Sequence, residues 1–244
     1  MSKKWLWTGI VALSLLGTAR IAHANIVADS AALDKAYIPA LALTNQNEPE
    51  KSKAAMAKLK DAWRVYAATY RAAKPSDRTW RQGFADIDSW LAQADATVTT
   101  GTRLADTLEY VRVTLMQLRQ KNGIDYFLDH QTAFHEPMEE IVLTVKGKTP
   151  DTLTPKDVEK IRQHIPALTT RWSAVQKAPV NPADFGFDSA RSTKMKQLMD
   201  QETAAISALL AVLAQPDNAT VIQRAAAIKP PFAQLYMLFG GFSP

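Results

Sequence analysis

Residues 56–70 read MAKLKDAWRVYAATY. Their apolar and aromatic members, Met56, Leu59, Trp63, Tyr66 and Tyr70, recur at spacings of 3, 4, 3 and 4. One helical turn takes about 3.6 residues, so this spacing draws a single stripe down one face of an amphipathic helix. Glu48-Pro49 suits its start, because proline fits the first turn, and Lys74-Pro75 marks its stop. A helix with one apolar stripe cannot bury that face alone, which calls for partner helices.

The rest of the chain supplies them. Trp80, Phe84, Ile87, Leu91, Ala94 and Val98 form a second stripe, with Thr79-x-x-Gln82 read as a capping box and Thr99-Thr100-Gly101 as a break. Leu104, Leu108, Val111, Leu115 and Leu118 form a third, ended by Asn122-Gly123. Thr154-Pro155 opens a fourth through Val158, Ile161, Ile165, Leu168, Trp172 and Val175, with Pro166 expected to kink it or delay its start. Met195, Leu198, Glu202, Ala205, Leu209 and Val212 make the fifth, and Val221, Ala225, Ile228, Phe232, Leu235 and Phe239 the sixth, disturbed by Pro230-Pro231. No segment alternates with period two, so no sheet is expected. At an offset of 109–111, Trp63 falls on Trp172, Leu115 on Ala225 and Tyr126 on Tyr236. The reading is all-α: an up-and-down helical bundle forming one domain over 25–244, from a duplicated three-helix unit with pseudo-repeats at about 48–147 and 154–242.

The chain has 244 residues, 47% hydrophobic and 22% charged, with no Cys, which excludes disulfides, thiolate metal sites, iron–sulfur clusters and covalently attached c-type haem. Lys3 and Lys4 precede an apolar run from Trp5 to Gly17, followed by Ala22-His23-Ala24. These three parts read as a secretory signal peptide over 1–24, cleaved after Ala24. The run is too short to span a bilayer, which needs about 20 apolar residues. The expected product is a soluble periplasmic protein without a transmembrane segment. Loss of Lys3, Lys4 and Arg20 lowers the net charge from +5 to +2, and no Lys/Arg-rich block remains to hold nucleic acid. Asn218-Ala219-Thr220 matches a glycosylation sequon but reads better as a helix start.

The export signal, the helix lengths and the Trp80-x-x-x-Phe84 helix start together resemble the periplasmic four-helix bundles of the cytochrome b562 and cytochrome c′ class. The resemblance is one of architecture. The b562 class implies a haem b held by one Met and one His. The Cys-x-x-Cys-His attachment of the c′ class is absent.

Residues 125–140, DYFLDHQTAFHEPMEE, are chemically dense. Only His130, His135 and His164 follow the leader, and two of them lie here beside Asp125, Asp129, Glu136, Met138, Glu139 and Glu140. Imidazole, carboxylate and thioether are metal ligands. Pro137 places a short helix from about Glu136 to Lys146, with His135 just before it and able to approach Glu139. The candidate metal ligands are thus His130, His135, Met138 and Glu139, for copper, iron or zinc. The same acids suit a helix N-terminus without any ligand, and Phe127, Phe134 and Met138 suit a bundle plug. Glu-x-x-His, His-x-x-Glu, His-Glu-x-x-His, Gly-x-Ser-x-Gly and phosphate-binding loops are missing, so no catalytic arrangement is read. Glu202 sits on an apolar stripe, where it is either buried and paired, coordinated or protonated, or turned outward by drift of the stripe. The run from Pro231 to Phe242 closes the core or offers a partner patch. Two functions follow: a periplasmic bundle binding a metal ion or haem near His130/His135, or a cofactor-free adaptor or sensor acting on a periplasmic protein partner.

Overall fold

The computed structural model describes residues 25–45, 48–74, 77–97 and 104–242. Residues 1–24, read above as a leader, and the Thr99-Thr100-Gly101 break lie outside the described residues. Among those described, nine α-helices and one 3-10 turn account for the regular structure, and there is no strand. The helices are α1 (Ile26–Asn45), α2 (Pro49–Tyr70), α3 (Arg78–Thr97), α4 (Leu104–Lys121), α5 (Phe127–Val145), α6 (Pro155–Lys177), α7 (Ser189–Ala214), α8 (Asn218–Ala227) and α9 (Lys229–Met237). The 3-10 turn spans Pro182–Phe185, between α6 and α7. No described helix is long and apolar enough to cross a membrane.

The heaviest pairings join chain neighbours, α1 with α2, α3 with α4 and α5 with α6, while α7 packs on α8 and α9. Every expected stripe is buried where its side chains are described, except that Ile165, Ala205 and Val212 are half-buried against the core, and the buried residues from α1 to α9 form one contiguous core. Trp63 and Trp172 do the same work in their own neighbourhoods. Each indole is buried, and each Nε1–H donates to the next helix but one face over, to Asp88 Oδ1 on α3 (2.8 Å) and to Thr203 Oγ1 on α7 (2.9 Å).

Four elements differ from the expectation. First, α1 precedes the first stripe and was not among the six. Second, α3 is capped two residues early, by Asp77 rather than Thr79: Asp77 Oδ1 accepts from the amides of Thr79 (2.8 Å) and Trp80 (3.2 Å). Third, the last stripe is two helices. Ile228 ends α8, and Pro230-Pro231 occupy the first turn of α9, where a missing N–H costs nothing. Fourth, α5 begins at Phe127, so Pro137 lies inside it and His135 is within the helix instead of ahead of it. Thr154-Pro155 opens α6 as read, with Asp157 completing a capping box, and Pro166 does not delay that start but lies inside the helix. Asn218 does open α8, capped by Asp217, and its side chain donates to the carbonyls of Pro150 and Leu153.

The internal prolines explain how distant parts of the chain are joined. A proline at position i lacks the N–H that would bond the carbonyl at i−4. Pro137 therefore frees the carbonyl of Ala133, which accepts from Arg171 Nη1 of α6 at 2.7 Å. Pro39 in α1 frees the carbonyl of Lys35, which accepts from the Gly241 amide at 2.8 Å. That second contact needs a residue without a side chain, since a Cβ on Gly241 would lie 2.9 Å from the Lys35 oxygen. In both places the carbonyl a proline releases is used to dock another element, so neither orphan is left unpaired.

A buried polar seam runs between α1, α4 and α5. Arg119 of α4 grips Asp129 of α5 through Nε (2.8 Å) and Nη2 (2.6 Å), both side chains nearly inaccessible. The Tyr126 hydroxyl donates to Asp34 of α1 at 2.6 Å, and the Tyr37 hydroxyl donates to the Leu108 carbonyl of α4 at 2.7 Å. Burial pushes the Asp34 carboxyl up to about 6, against the pull of Arg119 and the Tyr126 hydrogen bond.

Candidate functional site

The seam continues into a pocket one helical heptad away. Arg112 lies seven residues before Arg119 on α4, so both side chains leave the same face of that helix. Arg112 is 6% exposed. Its Nη2 meets the Glu109 carboxylate three residues earlier and lies 3.2 Å from His135 Nδ1 of α5. Its guanidinium carbon stands 5.3 Å from the centre of the Tyr236 ring of α9. Its Nε is buried and has no hydrogen-bond partner. The pocket beside it has a volume of about 240 Å³. Ile38, Leu41, Met138 and Phe232 supply apolar wall, while Arg112, His135, Lys229 and Glu109 supply the polar groups.

The chemistry of His135 follows from its neighbour. A guanidinium only donates, so Nδ1 must accept from Arg112 and the ring proton sits on Nε2. Burial, with the charges of Arg112 and Lys229, pushes the imidazole down to about 3. The ring is therefore neutral at physiological pH and presents a donor, not a lone pair, on its second nitrogen. Its NMR resonances are expected to hold the neutral Nε2–H tautomer unchanged from pH 5 to 8; a titration midpoint near the ordinary value of 6.5 would contradict the contact with Arg112.

The four sequence-derived ligands separate into different partnerships. His130 Nε2 bonds Asp125 Oδ1 at 2.7 Å. Glu139 takes the Lys229 ammonium with both oxygens, at 2.8 and 3.0 Å. Met138 is fully buried. Only His135 and Met138 line one pocket. No cluster of three or more His, Cys, Asp or Glu able to hold a metal occurs among the described residues. No family model, curated protein or solved structure matches the chain.

The haem that the b562 resemblance implies does not fit these residues. Axial Met and His ligands approach the iron from opposite faces of the macrocycle, whereas Met138 and His135 lie three residues apart on one helix and share a side of it. The pocket also falls below the roughly 300–1,000 Å³ that encloses a drug-sized ligand, and a haem is larger than most of those.

Arg112, Glu109 and Lys229 were missed as site residues. Arg112 interrupts no apolar position of its stripe, so it reads as part of a solvated face. The available signal was its heptad spacing from Arg119 beside Leu108, Val111, Leu115 and Leu118. Glu202 is fully buried rather than turned outward, and neither carboxyl oxygen has a hydrogen-bond partner. Gln131, one turn before His135, is likewise buried with both amide atoms unpartnered. Of the C-terminal run, Phe232, Leu235, Tyr236 and Phe239 are core, and Met237 and Phe242 are exposed.

Proposed function

We propose that the protein is an exported helical-bundle binding protein that holds a small anion in the pocket between α1, α4, α5 and α9. The observation that carries this reading is Arg112: a buried guanidinium at the pocket wall with an unpartnered Nε–H, flanked by a neutral imidazole and an ammonium. Donors converge there beside one carboxylate, Glu109, and the rest of the wall is mostly apolar, which is the composition of a pocket that orients a ligand by one polar head. The leader-like residues 1–24 support export to the periplasm, and the matched roles of Trp63 and Trp172 support a duplicated origin.

A second reading, a copper, iron or zinc ion, is favoured by His135 and Met138 lining the same pocket. It requires His135 to give up either Arg112 or its Nε2 proton. Calorimetric titration of the mature chain separates the two. Organic anions and phosphate are expected to give saturable heat that is lost in Arg112→Lys. Stoichiometric metal uptake lost in His135→Ala, with no anion heat, would replace the anion reading by the metal one. Neither response would leave the cofactor-free adaptor.

A further inference from the structure

Resting on the anion-binding reading, the geometry points to a carboxylate as the ligand's head and to Glu109 as the internal carboxylate it displaces: we infer that the pocket takes a short apolar monocarboxylate that exchanges with Glu109 on Arg112.

The two arginines of α4 supply the comparison. Arg119 holds Asp129 along its Nε–Nη2 edge, one oxygen on each nitrogen. This is the planar two-point arrangement that matches guanidinium to carboxylate. Arg112, which lines the pocket, has the same pair of nitrogens, and only one of them is used. Glu109 reaches Nη2 only, and Nε has nothing. Glu109 is tied to its position three residues along the same helix, so its carboxylate meets the guanidinium from one end. A carboxylate arriving on a separate molecule carries no such tether. It can lie along both nitrogens once Glu109 leaves, and Glu109, with its side chain 34% exposed, has solvent to turn into. The exchange conserves charge, one carboxylate replacing another beside a buried cation, so the guanidinium is never left unpaired. Losing the partner of a buried charge is the costly event that this avoids.

Size and wall chemistry narrow the body of the ligand. A cavity of about 150 Å³ holds benzene. The 240 Å³ pocket, walled by Ile38, Leu41, Met138 and Phe232, therefore suits a benzoate ring or a chain of about four to seven carbons. A phosphate can also meet a guanidinium edge at two points, but it brings more charge than the single carboxylate it would replace and has no apolar body to meet the wall.

The test titrates benzoate, hexanoate and inorganic phosphate into the wild-type mature chain, Glu109→Gln and Arg112→Lys, with circular dichroism to verify folding. Benzoate and hexanoate are expected to bind the wild type, to bind Glu109→Gln about tenfold more tightly because the internal competitor has lost its charge, and to bind Arg112→Lys at least tenfold more weakly. Carboxylate binding that is unchanged or weakened in Glu109→Gln would overturn the exchange while leaving the anion pocket standing. Phosphate binding more tightly than both carboxylates would overturn the carboxylate assignment. An absence of heat from all three anions in wild type and Glu109→Gln alike would remove the pocket reading itself.

Discussion

Asp129→Ala is expected to lower the unfolding free energy by about 3–5 kcal/mol, the cost of leaving one member of a buried ion pair without the other. Arg119 and Asp129 have side-chain exposures of 4% and 3%, so no water takes over the lost contacts. Arg119 also lies 4.6 Å from the centre of the Tyr126 ring and within 3.4 Å of Ser30 Oγ, so the stranded charge sits at the joint of α1, α4 and α5. Since whole domains are stable by about 5–15 kcal/mol, a loss of this size removes a large part of the margin. Urea unfolding followed by circular dichroism measures it. Replacing both partners by apolar residues, Arg119→Met with Asp129→Leu, is expected to restore most of the loss, because the charge needing compensation is gone. A single-variant effect under about 1 kcal/mol would mean the pair is not desolvated as described.

The second large effect has the opposite sign. Glu202→Gln is expected to stabilise the protein by about 2–4 kcal/mol at pH 8 and by almost nothing at pH 4. Burial raises the Glu202 carboxyl to about 8 from an ordinary value of 4.5. Below pH 4.5 both folded and unfolded chains hold the proton and the residue has no net effect. As pH rises, the unfolded chain ionises first, so stability falls steadily until the pH passes about 8, where the folded carboxyl ionises too. Glutamine keeps the shape and cannot ionise, which removes the slope. Unfolding midpoints at pH 4 and pH 8 check this; a gain equal at both pH values would assign the effect to packing instead.

How far the sequence carried the fold depended on how each helix is buried. The stripes of α2, α3, α4, α6 and α7 were legible because each of these helices has one dry face and one wet face. In α1 the dry face is broad: Leu33, Tyr37, Ile38, Ala40 and Leu41 are all buried, together with Ser30 and Asp34. A helix covered on most sides has no contrast for periodicity to detect, and Pro39 breaks the local pattern further. The start of α5 was misplaced for a different reason. The carbonyl that Pro137 frees in mid-helix, that of Ala133, is satisfied by Arg171, and that partner lies 38 residues away. At the site, composition alone found His135 and Met138, and the interruption of a stripe found Glu202. The pairing of His135 with Arg112 spans 23 residues and two helices, so no local pattern records it.

The bond from the Gly241 amide to the Lys35 carbonyl also sets a clock on biosynthesis. Chains emerge amino-terminus first, at roughly 5–20 residues per second. From the appearance of Lys35 to that of Gly241 therefore takes on the order of 10–40 seconds. During that interval α1 can pair with α2, and the hairpins of α3 with α4 and α5 with α6 can close on contacts near in sequence, which form fastest. The side of α1 destined for Gly240 and Gly241 has no such neighbour. Ile38, against which Gly240 finally packs, stays uncovered with the Lys35 carbonyl until Gly240 and Gly241 have been made. The earliest of the described helices to be made is thus finished only after Gly241 has emerged.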